Sequence, residues 1–167
     1  ARRPEKARAL ASELHSGELS VTYSADLSSA AAGADIVSSA TMAREPILKG
    51  AWLRPGTHVD LIGAYTPEMR EADDELIAKA SVYVDSRDTT VHHIGELMIP
   101  IRNGVISAQD IRGDFYDLCN RSSPARTNYR EITVFKNGGG AGFYQLHLNE
   151  YQTNYYDNVA IEEFYKV

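Results

Sequence analysis

Apolar and polar positions along this chain switch repeatedly between a helical and an extended period. Arg3 to Leu14 places a proline in its first turn, a glutamate beside it and strong helix formers after, which predicts a helix. Ser20 to Tyr23 reads as a short strand, Ser28 to Ala32 as a brief helix, and Asp35 to Thr41 as a buried strand ending in small polar residues. Leu53-Arg54-Pro55-Gly56 has the composition of a turn, and His58 to Ala64 is the next strand. Met69 to Ala80 predicts a helix with Leu76, Ile77 and Ala80 as its inner stripe, followed by a strand from Ser81 to Asp85. Thr89 to Leu97 and Asp114 to Asn120 read as helices, and Glu131 to Lys136 as a last strand. This β-α-β-α rhythm predicts an α/β fold, a parallel sheet with helices on both faces.

The pattern changes near Gly142. Residues 143–167 hold five of the ten tyrosines and a single basic residue, Lys166. Tyr144 to Asn149 alternates as a strand does, although Phe143, Leu146, Glu150 and Tyr151 would also share a helix face. The sequence thus divides into 1–142, an α/β domain, and 143–167, a tyrosine-rich tail.

Composition narrows the function classes. A chain of 167 residues, 43% apolar and 24% charged, buries one ordinary core. No apolar run reaches the roughly 18 residues of a membrane helix, and no signal-like stretch opens the chain, so a soluble, cytoplasmic protein is expected. The net charge of -6 argues against nucleic acid or an anionic membrane as partner and leaves small molecules or proteins. One cysteine, Cys119, excludes an internal disulfide framework, and its apolar helical setting predicts a packed core thiol.

In an open parallel sheet, ligands bind beyond the carboxyl ends of the strands. Four such ends carry small or polar residues: Ala40-Thr41-Met42, Gly63-Ala64-Tyr65, Asp85-Ser86-Arg87-Asp88 and Lys136-Asn137-Gly138. Arg2 and Arg3 precede a predicted helix and offer guanidinium groups suited to phosphate, although a solvated basic end is the plainer reading. His92 and His93 are adjacent, so on a helix they point about 100° apart, and no metal site is expected there. Asp73, Asp74 and Glu75 read as helix-capping acids rather than a catalytic pair. No G-x-G-x-x-G, phosphate-loop lysine motif or nucleophile elbow occurs; Gly138 to Gly142 follows the last strand instead of opening a first βα unit.

The strings Ala34-Asp35-Ile36-Val37-Ser38-Ser39-Ala40-Thr41, Glu45-Pro46-Ile47-Leu48-Lys49-Gly50, Trp52-Leu53-Arg54-Pro55-Gly56-Thr57-His58, Gly63-Ala64-Tyr65-Thr66-Pro67-Glu68-Met69-Arg70-Glu71, Val84-Asp85-Ser86 and Glu131-Ile132-Thr133-Val134-Phe135-Lys136 give the chain its family likeness. From about residue 1 to 141 it resembles the ornithine cyclodeaminase/mu-crystallin family. That resemblance implies a Rossmann-like domain of a dimeric NAD(P)-dependent oxidoreductase that reduces a cyclic ketimine such as Δ1-pyrroline-2-carboxylate, or cyclodeaminates ornithine. It implies that Thr41, Met42, Ile62, Gly63 and Asn137 line the cofactor and that Asp88 lies near the substrate. Arg2 and Arg3 align where the family meets the NADP 2′-phosphate, which favours NADP over NAD.

Two departures qualify the resemblance. Tyr65 stands where ornithine cyclodeaminase has its catalytic aspartate, so no catalytic residue is assigned and the reductase branch is favoured. Asn137 replaces a common serine. The resemblance also implies that the first two family strands, with the phosphate loop, are missing. The gap would be filled by the tail, as strands at Tyr144 to Asn149 and Asn158 to Val167, or by a partner chain or second subunit. The competing reading is a catalytically inactive fragment or engineered chimera acting as a scaffold or interaction module.

Overall fold

The computed structural model of the protein describes residues 3–138. Four strands form, β1 (Ile36–Ser39), β2 (His58–Leu61), β3 (Ser81–Val84) and β4 (Thr133–Lys136). They build one parallel sheet in the order β1-β2-β4-β3. Among the described residues six α-helices accompany them: α1 (Pro4–Leu14), α2 (Leu27–Gly33), α3 (Asp74–Lys79), α4 (Arg87–Thr90), α5 (Gly95–Arg102) and α6 (Phe115–Cys119). The fold is α/β and Rossmann-like. No helix of the described residues is long and apolar enough to cross a membrane.

Strand register explains the core. Val37, Val59, Val134 and Val82 stand in one row, and Ser39, Leu61, Lys136 and Val84 in the row two residues on. Because side chains alternate along a strand, both rows face one side. There they meet Leu76 and Ile77 of α3, Leu97 of α5, and Leu48, Leu53, Val91 and Ile111. The opposite face carries His58, Phe135 and Tyr83. The Phe135 ring packs on Phe115 of α6 with centroids 4.9 Å apart, and the Tyr83 hydroxyl donates to the Pro124 carbonyl at 2.6 Å. All four residues of β3 are buried, as a strand covered on both faces requires.

Several boundaries differ from the sequence expectation for definite reasons. The strand from Asp35 to Thr41 was expected to be buried, yet Ile36 is 68% exposed. Among the described residues β1 pairs only with β2, so it is an edge. Ser20 to Tyr23 forms no strand, because a short extended segment gains little without a ladder partner. Val21 is anchored there by its backbone N–H, which meets the His15 ring nitrogen Nδ1 at 3.2 Å, and Tyr23 by the Arg8 guanidinium 4.9 Å over its ring.

The helix expected from Met69 begins instead at Asp74. The Asp73 carboxylate caps it by accepting from the Leu76 N–H at 2.9 Å, and the same oxygen accepts the Gly50 N–H at 2.9 Å. The helix expected from Thr89 to Leu97 is broken into α4 and α5, because Gly95 is pressed against the Pro67 and Met69 carbonyls and donates to Thr66 O at 2.9 Å. Cys119, expected in the core, is exposed on α6. Arg2, and the strands expected at Tyr144 to Asn149 and Asn158 to Val167, lie outside the described residues.

Asp73 serves a helix end and a separate turn with one oxygen, so its loss should exceed that of an ordinary cap. Asp73→Ala is expected to destabilise the protein by about 2 kcal/mol. A lower midpoint in urea unfolding with an unchanged slope is the measurement.

Candidate functional site

All four strands run parallel and in register, so their carboxyl ends leave the sheet along one edge. Two buried carboxylates and one buried lysine tie those ends together. Glu71, fully buried, lies in the loop before α3. Its Oε1 accepts from the Thr41 N–H at 2.6 Å, the Thr41 hydroxyl at 2.9 Å and the Ser39 hydroxyl at 2.7 Å. Its Oε2 accepts the Gly63 N–H at 2.7 Å. One side chain thereby satisfies the exits of both β1 and β2. Gly63 makes that closeness possible: a methyl group there would overlap the backbone nitrogen and oxygen of Thr41.

The other two exits are joined on the same plan. The Asp85 Oδ1, just beyond β3, accepts from the Thr90 hydroxyl at 2.6 Å and the Ser86 N–H at 2.8 Å. Its Oδ2 accepts the Gly138 N–H at 2.6 Å, beyond β4. Between these clusters the Lys136 ammonium donates to the Leu61 carbonyl at 3.0 Å and to the Asn137 carbonyl. The Asn137 N–H in turn donates to Leu61 O at 3.1 Å. The exits of β2 and β4 are thus bound directly to each other.

Behind this layer sits Glu96 of α5, fully buried. Its oxygens accept the Glu71 N–H at 2.7 Å and the Ala72 N–H at 2.9 Å, which fixes the loop that presents Glu71. Burial pushes the Glu96 carboxyl up to about 7, against the pull of those two N–H groups and of the Lys136 charge. Burial also lowers Lys136, while the surrounding carboxylates hold it up.

Glu96 binds its proton more tightly folded than unfolded, so its contribution is fully present at low pH. It is lost as pH rises from the ordinary glutamate range through about 7, by up to about 3 kcal/mol. His58, lowered by burial, contributes with the opposite sign. Subtracting a Glu96→Gln variant therefore isolates the effect: the fall of wild-type stability, relative to the variant, across that window is the expected result in urea titrations.

The structure brings together some of the residues singled out in the sequence. Thr41, Gly63 and Asn137 converge through Glu71, Lys136 and Leu61. Met42 and Ile62 stand beside them with exposed side chains, as does Tyr65. Asp88 is exposed on α4, beyond the outermost strand, and no hydrogen bond or ion pair among the described residues ties it to that cluster. Arg3 is the exposed N-cap of α1, a helix that buries only Ala11. Glu71, Glu96 and Lys136 were not anticipated as a unit. The available signal was Lys136 itself, which shares the inward phase of Val134 in an apolar strand.

These features sit on a chain with close relatives. The model of the ornithine cyclodeaminase/mu-crystallin family matches residues 1–141. The chain belongs to that family. A Δ1-pyrroline-2-carboxylate reductase from Paracoccus denitrificans is 57% identical over 141 residues, covering 84% of this chain and 45% of the relative. The mouse ketimine reductase mu-crystallin is 38% identical over 112 residues, covering 67% of this chain and 33% of the relative. Among solved structures, a Thermococcus litoralis Δ1-pyrroline-2-carboxylate reductase in complex with NADH and L-proline superposes with a TM-score of 0.73 at 32% identity. That match covers 89% of this chain and 49% of the other. An archaeal alanine dehydrogenase dimer with bound NAD gives a TM-score of 0.64 at 27% identity, over 78% of this chain and 43% of the other. The chain spans about half the length, or less, of the relatives it matches.

Proposed function

We propose that this chain forms the nicotinamide-binding part of an NAD(P)-dependent reductase acting on a cyclic ketimine such as Δ1-pyrroline-2-carboxylate. The observation that carries the reading is the convergence of Thr41, Gly63 and Asn137 at one sheet edge, in a chain 57% identical to a reductase of that substrate. The residues present fit a nicotinamide: exposed Met42 and Ile62 give an apolar ledge for a flat ring, beside backbone held in place by buried groups. The nucleotide, when bound, supplies the hydride. The chain's own contribution is to orient and to shield: Met42 and Ile62 exclude water from one ring face, and the Glu71 and Lys136 networks keep the ledge from shifting.

Tyr65 offers no carboxylate for ornithine deamination, which supports the reductase reaction over the cyclodeaminase one. Asp88 would take a polar substrate group, and the protein would work in the cytoplasm as a homo-oligomer. Arg2 and Arg3 would pair with a 2′-phosphate, giving a preference for NADP over NAD.

Titration of the 167-residue chain with NADPH and NADH, followed by nucleotide fluorescence, tests this reading. Saturable binding of both is expected. Arg2→Ala and Arg3→Ala should weaken NADPH by about tenfold while leaving NADH nearly unchanged, as befits loss of one charge-assisted phosphate contact. Absence of saturable binding by either nucleotide would leave only a scaffold role.

A further inference from the structure

Lys136 is a wholly buried cation whose hydrogen bonds among the described residues go to main-chain carbonyls rather than to a side chain. A lysine in such a place is costly to desolvate, and an apolar residue of similar length would fill the space in the sheet core at less expense. Its contacts are also unusually placed. Leu61 is the last residue of β2 and immediately precedes Ile62-Gly63, while Asn137 is the first residue beyond β4. The two carbonyls therefore belong to the exits that form the proposed nicotinamide ledge.

We infer that Lys136 is a positioning residue for the nicotinamide site: its ammonium clamps the Leu61 and Asn137 carbonyls and so fixes Ile62-Gly63 relative to Asn137. The inference rests on the functional reading above and goes beyond it, because Lys136 has no exposed surface with which to touch a nucleotide. Two features support a role for the charge and not merely the volume. The carboxylates of Glu96, Glu71, Asp85 and Asp60 all favour the charged form of Lys136 against the cost of burial. Of these, Glu71 holds Thr41 and Gly63, and Asp85 holds Gly138, so the same cation sits between both halves of the strand-end network. Removing it would leave the Leu61 carbonyl to the Asn137 N–H, withdraw the ammonium from the Asn137 carbonyl and leave those carboxylates without their shared counter-charge.

The test compares wild type with Lys136→Met, which keeps length and apolar bulk, and with Lys136→Met/Glu96→Gln, which removes one positive and one acidic group together. Dissociation constants for NADH are measured by fluorescence, and thermal midpoints across pH. At least about tenfold weaker NADH binding is expected in Lys136→Met, and the double variant should recover no more than about threefold of that loss, because it still lacks the clamp. The stability of Lys136→Met should track wild type below the Glu96 midpoint of about 7 and diverge downward above it, since without the lysine Glu96 keeps its proton to higher pH. A purely space-filling lysine would show no such divergence. Wild-type binding of NADH with equal affinity in the folded variants overturns the clamp alone. Absence of NADH binding by wild type overturns the functional reading and the clamp with it.

Discussion

Glu71→Ala should cost about 3–5 kcal/mol of stability and abolish saturable nucleotide binding. The magnitude follows from what the carboxylate holds. Truncation leaves the N–H groups of Thr41 and Gly63 without their carboxylate acceptor in a partly buried setting, releases the buried Ser39 hydroxyl and removes one of the charges that balance Lys136. Solvent screening does not soften the loss, because Glu71 is fully buried. Glu71→Gln separates the contributions. An amide has one acceptor oxygen, so it can serve Thr41 or Gly63 but must turn an NH2 group toward the other, at about 1–3 kcal/mol. Urea unfolding ranks the three proteins as wild type, Glu71→Gln, Glu71→Ala. A Glu71→Ala protein as stable as wild type would show that the strand exits are held by something else.

Gly63→Val tests the same junction from the opposite side, by adding atoms. Any Cβ at position 63 overlaps the Thr41 backbone, which cannot retreat without breaking its bonds to Glu71. The variant should lose about 3 kcal/mol and bind NADH at least about tenfold more weakly, since the apolar ledge is carried by the two loops that are forced apart. Gly33→Ala is the matching control. Nothing lies near its Cβ position and it ends α2, so it should be neutral or slightly stabilising. Equal effects of the two substitutions would mean that crowding against Thr41 is not what the glycine avoids.

Much of the fold was legible because its strands advertise themselves. Valine and isoleucine runs at 36–37, 82–84 and 132–134, separated by helix-forming stretches, leave few alternatives to a parallel sheet. Boundaries were less legible where one side chain had two tasks. Asp73 begins α3 five residues later than hydrophobic spacing suggests, because it also serves Gly50. Gly95 breaks a helix that periodicity would have continued, because two carbonyls from a distant loop leave no room beside it. Ser20 to Tyr23 has a strand's composition but no ladder, and composition cannot supply a neighbour.

The candidate site was legible at its surface and hidden underneath. Strand-end logic reached Thr41, Gly63 and Asn137 directly, since topology alone brings parallel strand ends to one edge. It could not reach Glu71, in the loop before α3 and bonded to Thr41 thirty residues away, or Glu96 on α5, which holds that loop from 25 residues away. Acids near helix starts ordinarily read as caps, as Asp73 is. What distinguishes Glu71 and Glu96 is complete burial with backbone N–H donors aimed at them, a property of the folded chain.

A nicotinamide nucleotide is expected to touch this protein at the strand exits. Backbone amide resonances recorded during an NADH titration locate that contact. The Thr41, Gly63 and Asn137 signals should move together along one saturable curve, while those of α6 and of the β strand starts at His58 and Thr133 stay in place. Saturable shifts confined to other parts of the chain, with these three amides unmoved, would contradict the placement of the site at the strand exits.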